Sequence, residues 1–271
     1  MYNNRKLSDY GCILCNITNT VDTEIISIGS EINFNTVYTP SNHKFKLMST
    51  TYTEPYKAVY QICKYDCRNP DDTCFTTEEI ASITRWLNQK VYKKFKLISD
   101  DSQYDNIYFL GTFNVSKIVL GDETIGLELN FQADSPFGNY ENIEFELNFT
   151  TGNEEFEVYD LSDEIGTIYP KDVIIECLAD GDLEIHNSQD GLRSTVIKNC
   201  TAGETITMNG EYKIITSDKA HPKLYNDFNY NYLRISNKDE DNADDLLNLF
   251  TVSIPCNIKF SYSPICKVGL V

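Results

Sequence analysis

Apolar and polar positions follow two different rhythms along this chain. Around residues 76–88 the rhythm is helical: Ile80, Ile83 and Leu87 recur at spacings of three and four, with Trp86 beside them. Thr76 followed three residues later by Glu79 has the spacing of a capping box, in which each residue's side chain satisfies the other's backbone amide. One short helix closed by Asn88 is therefore predicted. Beyond it the period falls to two. Tyr92, Lys94 and Lys96 alternate with Val91, Phe95 and Leu97, and an acidic turn (SDDSQYDN) leads into two long β-rich runs. These span residues 107–120 and 124–131 and meet at Gly121-Asp122. In the second, Leu127, Leu129 and Phe131 share a side opposite Glu128 and Asn130, the alternation of a half-buried strand. The prediction is a small helix set against a long antiparallel hairpin.

Upstream, residues 11–17 and 21–28 are strand candidates, 44–48 alternates, and 51–62 is extended and broken at Pro55, with a polar loop over 63–75. A boundary falls after Ser135-Pro136-Phe137-Gly138. Beyond it short strands recur about every ten residues, as in a sandwich. They are predicted at 144–149, 155–159, 172–178, 182–186, 193–197, 205–208, 211–215, 230–236, 250–254 and 257–262. Asn209-Gly210 carries the signature of a type I′ hairpin, whose two central residues need positive φ. Residues 238–245 (KDEDNADD) read as an acidic surface loop. The fold class is mainly β with one short helix, the second half an antiparallel jelly-roll or similar sandwich.

Composition supports sheet over helix, with 18 Tyr and 14 Phe among 271 residues. No apolar run is long enough to cross a bilayer and the first residues lack an apolar signal core, so a cytosolic product without membrane insertion is expected. The net charge is −18, with 13 basic against 17 acidic residues up to Phe137 and 10 against 24 after it. Binding to nucleic acid needs clustered cations. The one basic cluster, between Lys90 and Lys96, reads as the solvated face of a strand, so no specific nucleic-acid binding is expected.

Nothing in the chain argues for catalysis. Of three histidines, His43 lies in a polar turn, His186 ends a strand and His221 precedes Pro222. None sits in HExxH, and no GxSxG or phosphate-cradling glycine loop is present. Asp239 and Asp241 lack the glycine and terminal Glu of a calcium loop. The nine cysteines include one CxxC (Cys12, Cys15) and an irregular group (Cys63, Cys67, Cys74). Free, mostly buried thiols are expected ahead of a zinc site or a redox pair. No catalytic residue, metal or cofactor is expected. The aromatic run 224–235 (LYNDFNYNYLRI) holds Tyr225, Phe228, Tyr230 and Tyr232, more rings than one face of a strand can bury. They either stack on sugar rings or fill a core edge and pair with a neighbouring subunit. With Trp86, Leu87, Tyr92 and Phe95 they are the candidate packing or interface residues.

A helix carrying Arg85-Trp86-Leu87, the YxxF of Tyr92 to Phe95, the YFxGxF of Tyr108 to Phe113 and a strand ending in Ser135-Pro136-Phe137 together resemble the distal tail proteins of long-tailed bacteriophages and prophages. The order of GTIYPKDVIIE, GDLEIHN, IKNCTAGETITMNG, HPKLYNDFNYNYLRI and PCNIKFSYSPICKVGLV extends the resemblance over nearly the whole chain. The extra cysteines and the acidic insert near Asp241 depart from it.

The resemblance implies a ring-forming domain over 1–137, a small β-barrel or split barrel with the helix and a projecting hairpin. That hairpin, or belt, is expected among the extended aromatic or cysteine-rich segments. Residues 263–271 could return to complete this domain, and 138–262 would form a galectin-like sandwich. The implied role is structural: a hexameric ring at the virion tail tip, assembled in the host cytoplasm, joining tail tube to hub and providing a channel for DNA. Implied partners are the tail-tube protein, the hub or spike protein, the tape-measure protein and peripheral receptor-binding proteins. The alternative is a carbohydrate-binding or adhesin module for the host cell surface.

Overall fold

The computed structural model describes residues 1–15, 31–65, 73–98, 105–152, 154–238 and 246–267. The strand candidate at 21–28, most of the acidic turn before residue 106 and nearly all of the loop at 238–245 lie outside them. Contacts divide the chain into two compact units. One is Met1–Asn139 together with Lys267, the other Tyr140–Cys266. Of the tail at 263–271, residues 268–271 lie outside the described residues.

The first unit runs β1 (Cys12–Cys15), β2 (Ile32–Thr39), β3 (Lys44–Tyr52), β4 (Lys57–Lys64), α1 (Thr77–Leu87), β5 (Lys93–Phe95), β6 (Ile107–Leu120), β7 (Glu123–Ala133) and the start of β8 (Gly138–Tyr140). Its main sheet is antiparallel in the order β1-β4-β7-β6, with β5 also paired to β6. The alternation seen in the sequence sets which side faces in: Leu127, Leu129, Phe131 and Ala133 of β7 are buried, as are Ile107, Phe109 and Phe113 of β6. The rings of Tyr2, Phe95, Phe113 and Phe131 meet edge-on or tilted, 4.8–5.2 Å apart. Gly121 turns β6 into β7 at φ 64°, where a side chain would be strained.

Helix α1 begins with the expected reciprocal cap: Thr76 N–H donates to Glu79 Oε2 at 2.8 Å and Glu79 N–H to Thr76 Oγ1 at 3.3 Å. Lys64 Nζ lies 3.0 Å from Glu79 Oε1. Burial alone would raise the Glu79 pKa, but the Thr76 amide and the Lys64 ammonium outweigh it and hold the carboxyl below its ordinary value. The helix buries Ile83, Trp86 and Leu87, and Asn88 closes it as the C-cap. The strand expected over 91–97 shrinks to β5, because Val91 and Tyr92 are both exposed and only Phe95 reaches the core.

The second unit is an antiparallel sandwich. One sheet orders β16 (Ile214–Ser217), β15 (Thr205–Asn209), β12 (Val173–Cys177), β19 (Cys256–Tyr262) and β9 (Ile143–Phe149). The other orders β10 (Glu155–Tyr159), β18 (Leu247–Val252), β13 (Gly181–Asn187) and β14 (Ser194–Cys200). β11 (Gly166–Ile168) pairs with β17 (Ile235–Asn237), and β20 (Ile265–Cys266) ends the described strands. Ile175, Ile206 and Ile258 from one sheet and Leu183, Ile197 and Phe250 from the other join a single apolar core.

Two sequence expectations fail here. The β15–β16 connection is not a two-residue type I′ turn: Asn209 pairs with Ile214, leaving a four-residue loop whose positive φ falls on Lys213. Asn209 Oδ1 instead accepts the Tyr212 N–H at 2.9 Å. Gly210 is needed for space, since a Cβ there would lie 2.5 Å from the Tyr169 ring. Nor is 230–236 a strand. The segment opens with the single turn α2 (Leu224–Asp227), runs irregularly through Tyr230 at φ 61°, and becomes β-structure only at Ile235.

Candidate assembly interface

β2 and β3 pair with each other and with no other described strand. Ile32 faces Tyr52 and Thr39 faces Lys44, with a bulge beside Asn35. Eight residues of strand extend about 27 Å. Cross-strand partners share a face, so Ile32, Phe34, Thr36 and Tyr38 lie on one side with Phe45, Leu47, Thr50 and Tyr52. The opposite side carries Asn33, Asn35 and Thr39 with Lys44, Lys46, Ser49 and Thr51, and includes Val37. Asn35 Nδ2 donates to Ser49 Oγ at 3.0 Å across that polar side.

The arm is thus amphipathic, yet its apolar side is bare. Phe34 is 63% exposed and Phe45 70%, and Tyr38, Leu47 and Ile32 are exposed as well. Tyr38 and Phe45 meet in a tilted pair at 5.3 Å, while Tyr52, at the base, packs edge-on against Phe137 at 4.6 Å. A contiguous apolar strip on a two-stranded ribbon is costly to leave in water and marks a surface built to be covered. The period-two signal for it was present at Ile32, Phe34, Phe45 and Leu47, but alternation alone reads as the inner face of a sheet.

The sequence candidates divide. Trp86, Leu87 and Phe95 are buried in the first core, Trp86 donating its indole N–H to the Tyr2 carbonyl at 3.0 Å. Tyr92 is exposed. In the second unit Phe228 and Tyr232 point inward and meet edge-on at 5.0 Å. Tyr225 and Tyr230 point outward, joined by a 2.8 Å hydrogen bond from the Tyr230 hydroxyl to the Tyr225 carbonyl. Helical turn and loop together, rather than a strand, sort the four rings two in and two out.

Titratable side chains gather chiefly around His221, which sequence reading left as a lone histidine before proline. Its Nδ1 lies 2.8 Å from Glu204 Oε1 and its Nε2 3.2 Å from Asp227 Oδ2. Ser217 Oγ–H also donates to Glu204 Oε1 at 2.7 Å, and the Thr201 amide to Oε2 at 2.9 Å. Burial alone would lower the His221 pKa, but the two carboxylates outweigh it and raise it. Burial would raise Glu204, but Ser217 and His221 hold it below the ordinary value. Through His221 the clasp ties Glu204 of the 200–205 turn to Asp227 of α2, and through Ser217 to β16. The eight described cysteines are free. Burial pushes the Cys12 thiol up to about 11 and Cys256 up to about 12, which keeps them protonated and unreactive at neutral pH. Among the described residues no group of His, Cys, Asp and Glu is arranged to hold a metal ion.

Two family models match the chain: a phage tail protein N-terminal domain over residues 1–135 and a phage tail C-terminal domain over residues 137–262. No curated protein matches it. Among solved structures, the crystal structure of the SPP1 Dit (gp 19.1) protein, titled a paradigm of hub adsorption apparatus in Gram-positive infecting phages, has a similar fold. The TM-score is 0.64 at 10% identity, over 97% of each chain. At that identity the likeness is one of fold.

Proposed function

The chain belongs to the phage tail protein family that those two models describe, and on that footing we propose that it is the distal tail protein of its virion. Copies of the chain form a ring, six by the family resemblance, that joins the tail tube to the hub and leaves a channel for DNA. The role is structural and no bond is made or broken. The carrying observation is the bare apolar side of the β2–β3 arm, which a neighbouring copy covers. Fully burying each of Phe34, Tyr38, Phe45 and Leu47 contributes on the order of 1.5–3 kcal/mol before ordering costs, enough to matter when repeated around a closed ring. Tail-tube, hub or spike, and tape-measure proteins are the expected partners along the axis, with receptor-binding proteins at the periphery. The chain's charge of −18, multiplied around a ring, suits a wall that repels DNA in transit; a lumen lined mainly by Lys and Arg would contradict this point.

Negative-stain microscopy and sedimentation of the purified full chain over a concentration series test the reading. Rings are expected, alone or on adding tail-tube protein; a strictly monomeric species at high concentration with that partner present overturns it. A saccharide-binding reading keeps only Tyr225 and Tyr230 as an outward pair. It requires sugar affinity that Tyr225→Ala and Tyr230→Ala both remove.

A further inference from the structure

A recess of about 320 Å³ opens on the first unit between the start of the chain and the last turn of α1. Arg5 and Arg85 both line it, with Tyr10, Trp86 and Gln89. Two cations are brought together here in a chain with 41 acidic residues against 23 basic, yet none of the described lining residues is acidic. Neither guanidinium has a carboxylate partner among the described residues. Each is oriented by an uncharged acceptor instead. Arg5 Nη1 donates to the Tyr10 hydroxyl at 2.9 Å, and Arg85 Nε to the Ala81 carbonyl one turn back at 3.2 Å. Both terminal nitrogens of Arg85 and the remaining donors of Arg5 stay available. Arg85 also complements the C-terminal end of the helix dipole, but that gives no reason for a second guanidinium at the same recess.

The geometry points to a binding site for an acidic peptide segment of a partner protein, held by the Arg5–Arg85 pair. Planar guanidinium forks match carboxylates bidentately. The neighbouring groups favour a peptide over a bare anion. Tyr10 stacks on Trp86 at 4.5 Å and 11°, providing an apolar shelf for a Glu side chain's methylenes. Gln89 spends its side-chain amide donors on the Arg85 and Trp86 carbonyls, at 2.6 and 3.1 Å, so what it has left for an occupant is an acceptor oxygen, which suits a peptide N–H. The site lies wholly within the first unit and does not depend on ring formation.

Trp86 is the single tryptophan of the chain and reports on the site directly. Capped hexaglutamate is titrated into the full-length protein at low salt, following Trp86 fluorescence, with inorganic phosphate in a parallel arm. A saturable change is expected, although the chain's overall charge repels the peptide. Arg85→Gln should weaken it by about tenfold, and Arg5→Gln in the same chain should weaken it again. Arg85→Lys, which keeps the charge and loses the fork, should fall between. Raising salt should suppress the response. Calorimetry of the same titration covers any shift in baseline fluorescence in the variants, whose exposed arginines leave the fold unchanged. Absence of saturation, unchanged affinity in the double variant, or phosphate binding as tightly as the peptide overturns the proposal.

Discussion

A methyl group added at Gly111 would fall 2.4 Å from Phe131 Cζ and 2.5 Å from the Gln132 carbonyl oxygen. The aromatic core of the first unit therefore closes over a bare backbone, and neither neighbour is a flexible chain end. Gly111→Ala should destabilise the protein by about 1–3 kcal/mol in denaturant unfolding, through overpacking rather than through φ. In the second unit the His221 clasp sets a pH dependence. His221 has a raised folded pKa, so its contribution is complete below the ordinary imidazole value of 6.5 and is lost as pH rises through the folded value. Glu204 has a depressed folded pKa, so its contribution is present above the ordinary carboxyl value of 4.5 and is lost as pH falls through the folded value. The clasp should contribute most between those ordinary values. Thermal melts across pH should show His221→Gln flattening the alkaline limb. Glu204→Gln should flatten the acid limb. Melts of the two variants that keep the parent pH profile would exclude this.

At the scale of elements, α1 is the part most legible from sequence. Its cap, its apolar spacing and its end are local, and propensity and packing agree. Thr76→Ala removes the acceptor for the Glu79 amide and should cost about 1 kcal/mol, measured by chemical unfolding. Some strands were legible for the same reason: β6 and β10 occupy the residues predicted for them. The β15–β16 loop was not, because the need for glycine at 210 comes from Tyr169, 41 residues away in the chain, a contact no local pattern encodes. The strand expected over 230–236 failed likewise. Its aromatics suit a strand, but just before it Asn229 Oδ1 accepts the Val196 amide at 3.1 Å and its Nδ2 donates to the Ser194 carbonyl at 2.8 Å. Those bonds pin a loop to the edge of β14 where a strand was expected.

For the whole molecule, the arm lets folding be tested apart from the proposed assembly. Among the described residues Phe34 and Phe45 join no core, so replacing both with Ser should leave the unfolding free energy within about 0.5 kcal/mol per site. The same variant should lose higher-order species in sedimentation and mass photometry. A large loss of stability would place these rings in the chain's own core, and unimpaired assembly would move the interface elsewhere. The recess lined by Arg5 and Arg85 belongs to another part of the same unit, so its arginine variants should leave oligomer size unchanged.

Period-two and helical patterning and the capping pair determined the mainly β class and, among the described residues, the single sizeable helix. Those are properties of short stretches, in which each residue's preference agrees with its neighbours'. Only the tertiary structure decided which apolar faces are covered. Alternation at Phe34 and Phe45 is the same signal as at Leu127 and Leu129; one pair stands in solvent and the other is buried because burial is set by what packs across from a strand, which is remote in sequence and which no local pattern encodes.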